Sequence, residues 1–237
     1  MFLWHRLAEA EPLYHRALAI SEQSYGPEAG TVASVLNNLA GLLHAMKRLA
    51  EAEPLFRRAL AIHEKNYGPK DSRVGYSLNN LALLLQDMSR LGEAEPLFRR
   101  ALCINWKRYG PEHPQVAISL NNLAQLLQAS NRLRKAEPLM RRALAIDEKR
   151  YGPDHPRLAT RLLTRLLPTT DRLTETEPLS RRFLQILAEF SHRIGHEYPR
   201  LRDGIKNYSE LLAAMGLSED EIRDRVHSAL QVGLPGL

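Results

Sequence analysis

Cysteine is almost absent from this chain: Cys103 is the only one among 237 residues. No internal disulfide can form, so stability must come from packing, and this thiol usage fits a reducing, cytosolic setting. Cys103 stands where the repeated pattern described below has Ala61 and Ala145, which reads as a small core residue. Long apolar runs are lacking too. The stretch 81–85 is among the longest, far short of the roughly 20 residues that cross a bilayer. The opening Met1-Phe2-Leu3-Trp4-His5 has neither the length nor the cleavage site of a secretory leader. A cytoplasmic chain with no membrane partner is expected.

The usual chemistry is missing as well. There is no glycine-rich phosphate loop, nucleophile elbow, His-Glu-x-x-His box or Cys-x-x-Cys pair. His192 and His196 lie four apart, near Glu189 and Glu197. Gly195 falls between the two histidines, however, and makes this a solvated turn rather than a metal site. His113 and His155 recur with the period of the chain and are turn residues first. No nucleophile, base and orienting partner come together. Neither a reaction nor a cofactor is expected.

Charge is uneven. Lys+Arg number 33 and Asp+Glu 27, a net +6. Residues 132–172 hold 11 Lys+Arg against 5 Asp+Glu, so this stretch carries the whole excess and the remainder balances. Arg157, Arg161 and Arg165 space a basic stripe at i, i+4, i+8, suited to an acidic stretch of a ligand. Nucleic acid is a weaker fit, because aromatics make up only 6% and do not interleave with the basic residues as base stacking requires.

What is present is a 42-residue period. Ala-Glu-Pro-Leu begins at Ala10, Ala52, Ala94 and Ala136, and survives as Thr176-Glu177-Pro178-Leu179. Tyr-Gly-Pro begins at Tyr25, Tyr67, Tyr109 and Tyr151; Leu-Asn-Asn-Leu-Ala begins at Leu36, Leu78 and Leu120. Three markers with one spacing indicate stacked supersecondary units.

Each unit reads as two amphipathic helices. In the first, Leu36, Leu39, Ala40 and Leu43 make one stripe. After the polar link Lys47-Arg48, Ala52, Leu55, Phe56, Ala59 and Leu60 make another. So short a link packs the two antiparallel. Gly26, Gly68, Gly110 and Gly152 suit the left-handed position just past the second helix, with a proline behind each. His113-Pro114 and His155-Pro156 open the next unit, with the proline in the first turn. Pro54 and its equivalents place the start of the second helix about four residues upstream. Glu53–Arg57, Glu95–Arg99, Glu137–Arg141 and Glu177–Arg181 are i,i+4 pairs in the favourable order, forming an outer ladder.

The expected organisation is a half unit over 1–24, full units over 25–66, 67–108 and 109–150, a divergent unit over 151–194, a capping unit over 195–232 and a loose tail over 233–237. In the divergent unit Leu162-Leu163-Thr164-Arg165-Leu166 replaces Leu-Asn-Asn-Leu-Ala, and Pro168 shortens the helix. In the capping unit 205–209 aligns with 36–40, and Ser218 with Glu221 forms a capping box. The first half unit lacks its partner helix. Either more chain precedes it, or a second copy covers it and the chain self-associates.

Leu36, Leu39, Ala40, Leu43, Leu49, Ala52, Phe56 and Ala59 follow a small-and-large pattern that resembles the tetratricopeptide repeat, whose usual period is about 34. The long form, with Leu-Asn-Asn-Leu-Ala, Glu-Ala-Glu-Pro-Leu-Phe-Arg-Arg-Ala-Leu and Tyr-Gly-Pro-Glu-His-Pro, resembles the repeat of kinesin light chains and their bacterial relatives. The resemblance implies an all-α, right-handed superhelical α-solenoid that binds a protein or peptide in its concave face, or a sensor module of a larger signalling protein.

The resemblance also implies a site. On the first helix of each unit, the side opposite the core carries Ser34, Asn38 and Gly41, flanked by Asn37 and His44. The matching positions are Tyr76, Asn79, Asn80, Leu83 and Gln86, then Ile118, Asn121, Asn122, Gln125 and Gln128. Asparagine is a poor interior helix residue, so its recurrence needs a reason. A primary amide matches the C=O and N–H of an extended peptide. In kinesin light chains asparagines of this box touch the cargo peptide, which implies that role for Asn38, Asn80 and Asn122. Asn37, Asn79 and Asn121 either share it or tie adjacent units together. Tyr76, Leu83 and Ile118 either form apolar pockets for a Trp or Leu anchor or pack against neighbouring units.

Overall fold

The computed structural model describes residues 2–152, 173–195 and 197–231. The segment 162–166, Pro168, the basic stripe Arg157, Arg161 and Arg165, His155-Pro156, His196 and the tail 233–237 lie outside the described residues. Helices α1 (Phe2–Tyr25), α2 (Gly30–Ala45), α3 (Leu49–Tyr67), α4 (Ser72–Asp87), α5 (Leu91–Tyr109) and α6 (Pro114–Ala129) build one compact unit, residues 1–130. Helices α7 (Leu133–Tyr151), α8 (Leu173–Ile194), α9 (Leu201–Ala214) and α10 (Glu219–Gln231) belong to a second, residues 131–237. The fold is an α-solenoid of paired helices, without strands among the described residues.

In the first unit each helix packs on the next in sequence, and α2, α4 and α6 also touch in order. The apolar stripe explains why. Leu36, Leu39, Ala40 and Leu43 are all buried, as are Leu78, Leu81, Ala82 and Leu85. Val32, Ala33 and Leu36 of α2 meet Ala59 and Ile62 of α3, and Leu18 of α1 closes the cluster. One period later Val74 and Leu78 meet Ala101 and Ile104, with Leu60 of α3 supplying the wall. No helix pair encloses its own core. Each fully buried Leu or Phe contributes about 1.5–3 kcal/mol, but only when the preceding helix is in place.

The same register exposes what lacks a neighbour. Ile62 is 2% exposed beneath α2, whereas Ile20, its counterpart on α1, is 52% exposed and Leu13 is exposed beside it. Cys103 is exposed, contrary to the core position expected for it. Ala61 and Ala145 are exposed too. A small residue recurs there because alanine favours a solvent-facing helix, not because space is short.

The links between helices have two designs. Inside a unit, Arg48 N–H reaches back to the Leu43 carbonyl at 2.9 Å while Lys47 adopts φ 59°, a Schellman turn with a non-glycine in the left-handed position. Ser89 repeats it at φ 60°. Between units, Gly68 has φ 80° and ψ 162°, and Gly110 and Gly152 match it. This is not the left-handed helical cap expected from the sequence. It is the extended mirror region that only glycine enters freely, and it turns the chain away from the helix axis at once.

The second helices begin at Leu49, Leu91 and Leu133, five residues before each proline rather than four, so Pro54 sits in the second turn. Pro54 is on the exposed side, and so is Ala50, whose carbonyl loses its partner. On the exposed side that group is open to solvent, which makes the proline tolerable. Pro114 opens α6 as expected, with His113 Nδ1 accepting the Gln115 N–H at 3.1 Å.

In the second unit Phe183, Ile186 and Leu187 of α8 form a core with Leu144 of α7. Tyr208 and Leu212 of α9 pack against Leu184 and Ala229. The capping box is present: the Ser218 N–H donates to Glu221 Oε2 at 2.8 Å. Gly68→Ala is expected to destabilise the protein by about 1–3 kcal/mol, and Ser89→Gly to stabilise it by about 1 kcal/mol. Urea unfolding measures both.

Candidate functional site

The asparagines of α2, α4 and α6 do not share one environment. Asn38 is exposed, and Asn79, Asn80, Asn121 and Asn122 are half-buried. Asn37 is 3% exposed. Its Nδ2 donates to Ser77 Oγ of α4 at 2.9 Å and to the Ala33 carbonyl at 3.2 Å, so its amide ties α2 to α4. Asn122 also makes such a tie: its Nδ2 donates to Asn79 Oδ1 at 2.7 Å across α6 and α4. The two columns therefore exchange partners. Asn37 is buried and bonded to α4 yet lines both depressions described below, Asn38 is exposed, and half-buried Asn80 lines the smaller one.

Two open depressions lie against this face. One, of about 220 Å³, is lined by Tyr14, Asn38, Gly41, Tyr76, Asn80 and Leu83, with His44 at its side. The other, of about 290 Å³, is lined by Ser34, Asn38, Arg73, Tyr76 and Tyr109, with His63 beneath. Tyr76, 56% exposed, borders both. Of the remaining expected residues, Leu83 is a wall of the smaller depression, while Gln86, Ile118, Gln125 and Gln128 are half-buried on α4 and α6. Gln86 Oε1 is buried without a partner among the described residues. Tyr14 and Tyr109, from second helices, were missed by a reading confined to the first helix of each unit.

Electrostatics at the edge are local. Asp87 accepts from Lys47 Nζ at 3.0 Å and lies 2.9 Å from His44 Nε2. Partial burial works to raise the Asp87 carboxyl, but the bonds from His44 and Lys47 outweigh it and hold it below the usual range. On the outer side the glutamate of Ala-Glu-Pro-Leu does more than its helical spacing indicates. Glu53 pairs with Arg57 at 2.7 Å as expected, and also with Arg90 of the following unit at 2.7 Å. Bonds from Arg57 and Arg90 hold its carboxyl low against burial. Glu11 and Arg48 repeat the link one period earlier. Glu95–Arg99 and Glu137–Arg141 hold as helical pairs. Glu177 departs from this pattern, accepting the Tyr208 hydroxyl at 2.6 Å, while Arg181 reaches Ser228.

A polar residue also recurs inside the stack, at Ser21, His63, Asn105 and Asp147. His63 and Asn105 each meet a serine 14 residues on, Ser77 and Ser119. The fixed interval was the signal for these ties, but it lies in a stripe otherwise read as apolar.

The profile of the tetratricopeptide repeat matches residues 5–65, 31–105 and 73–149. The chain belongs to the tetratricopeptide repeat family. Among solved structures it is similar to BtubC (BKLC) from P. vanneervenii, with 20% identity and a TM-score of 0.72 over 100% of this chain and 95% of that one. It is also similar to a kinesin-light-chain-like protein of Podosopora anserina with nearly identical TPR-like repeats. That match has 19% identity and a TM-score of 0.70 over 88% of this chain and 99% of that one. At such identity the likeness concerns the fold, which is the long, kinesin-light-chain kind of repeat. No curated protein matches this chain. No helix among the described residues is long and apolar enough to cross a membrane, and no cluster of three metal-ligating side chains occurs among them.

The tie between Asn79 and Asn122 is testable by a double-mutant cycle with alanine at each position. A coupling of about 0.5–1.5 kcal/mol in unfolding free energy is expected.

Proposed function

We propose that this chain is a protein-interaction scaffold that holds an extended peptide segment of a partner along the face formed by α2, α4 and α6. The observation that carries the reading is the pair of depressions that share Tyr76 and are lined by asparagine amides. A tetratricopeptide array is generally an interaction module, and nothing in the site supports a reaction. Asn38 and Asn80 meet the peptide backbone, each amide offering one donor group and one acceptor. Tyr76 and Leu83 border the depression that takes an apolar side chain. Asn122 and Asn79 hold adjacent units at the spacing the peptide reads. Gln125, Gln128 and Ile118 continue the floor, and Asn121 stands beside them. The cytoplasm is the compartment that best suits such a role.

The open apolar side of α1 favours a second contact, between two copies of the chain. A strict monomer in light scattering at high concentration removes that contact without touching the first.

The test of the main reading begins with peptides selected from a displayed library on the wild-type protein. Asn38→Ala with Asn80→Ala is expected to weaken them about tenfold, the loss of two neutral hydrogen bonds, with the circular dichroism spectrum unchanged. Equal affinity for the double variant contradicts the reading. Asn122 is left intact because its removal also loosens the stack.

A further inference from the structure

Beneath the larger depression three side chains from three helices form a buried chain. Asn37 Nδ2 of α2 donates to Ser77 Oγ of α4 at 2.9 Å, and Ser77 Oγ lies 2.9 Å from His63 Nδ1 of α3. Ser77 is wholly buried, and His63 and Asn37 are each 3% exposed.

The chain has a direction. A serine hydroxyl owns one hydrogen. The Ala33 carbonyl fixes Asn37 Nδ2 as a donor, so of the two partners of Ser77 Oγ only His63 Nδ1 offers the hydroxyl hydrogen a lone pair. With that nitrogen as the acceptor, the neutral ring carries its own hydrogen on Nε2, which is buried without a hydrogen-bond partner among the described residues. The link between Ser77 and His63 depends on a neutral imidazole.

A second proton on His63 must sit on Nδ1, where it faces the Ser77 hydrogen. The hydroxyl then has to turn, and its hydrogen loses its acceptor in a buried place. The new positive charge also lies under Arg73. The charged or titratable groups around the ring are Arg73 and Asp71 at the start of α4, Tyr67 on α3 at a ring separation of 5.8 Å, and Tyr109 of α5 across the same depression. On the α2 side it meets the Gly30 backbone and Asn37.

We propose that Asn37–Ser77–His63 is a proton-operated latch: acidification breaks it, loosens the α2–α3–α4 junction and dismantles the peptide-docking face above. The next unit contains the version that cannot be operated. Asn105 Nδ2 donates to Ser119 Oγ at 2.8 Å, and Ser119 passes its hydrogen to the Gln115 carbonyl at 3.0 Å. No member of that set titrates.

The direction of titration agrees with the geometry. Burial pushes the imidazole below its ordinary value of 6.5, Arg73 adds to this, and the Gly30 and Arg73 backbones and Asp71 oppose it. A depressed histidine contributes stability above its unfolded value. That contribution is lost as the pH falls from 6.5 through the lower folded value. The carboxylates of Glu53, Glu93 and Asp87 are held low. Their contribution fades only below the ordinary carboxylate range, so the two windows separate.

The latch rests on the docking reading for its purpose, but its test uses the full chain without ligand, so either can fail alone. Long-range proton–nitrogen spectra at neutral pH are expected to show His63 protonated on Nε2 and bare on Nδ1. Amide exchange in α2 and α4, corrected for intrinsic rate, is expected to accelerate about tenfold between neutral pH and about pH 5. His63→Asn, copying the unit that contains Asn105, is expected to abolish the acceleration; His63→Gln serves if that variant does not fold. An Nδ1–H tautomer, unchanged exchange in the wild type, or equal acceleration in the variant overturns the proposal.

Discussion

The structure depends on one constraint: a helix pair of this sequence cannot bury its own apolar stripe. Leu36 is covered only because Ala59 and Ile62 lie on one side and Leu18, from the helix before, closes the other. The fixed 42-residue interval follows from that need. Each unit must present the same ridge in the same place, or the next unit loses its wall. The polar ties obey the same interval: Glu11–Arg48 and Glu53–Arg90 sew successive second helices together on the solvent side. On the opposite side Asn37–Ser77 and Asn79–Asn122 sew successive first helices.

This arrangement divides the work of a repeated dipeptide. Two adjacent asparagines on a helix point about 100° apart. In α2 that rotation sends Asn37 into the stack and Asn38 out of it. In α4 and α6 both stay half-buried, and Asn79 of one meets Asn122 of the other. The face that remains is polar at its floor and aromatic where Tyr76 stands between the depressions. An extended peptide needs such a surface, with amides for its main chain and a few cavities for side chains. Beneath that face the buried His63 ring of α3 joins the serine that bridges α2 and α4.

Much of this was legible in the sequence. The Leu-Ala stripes gave the helix pairs, Tyr-Gly-Pro gave the exits, and Ser218 with Glu221 gave the last helix start. What was not legible has a common cause. Periodicity tells which side of a helix a residue occupies, but not which atom of the next unit it meets. Glu53 reads as a partner of Arg57 because they share a helix; its second partner, Arg90, is 37 residues away. Cys103 falls on a stripe of small residues, and only the packing reveals that this stripe faces water. Gly68 announces a positive φ, but the value of ψ is set by how the next helix must be placed. His63 and Ser77 look like interruptions of apolar stripes until the two helices are brought together.

The central claim is that the outward amides, not the buried ones, dock a partner. Side-chain amide resonances provide the most direct measurement. With a selected peptide added to saturation, the account predicts that the Asn38 and Asn80 NH2 signals shift more than that of Asn37, which stays bonded to Ser77. Movement of Asn37 with Asn38 and Asn80 silent would contradict it.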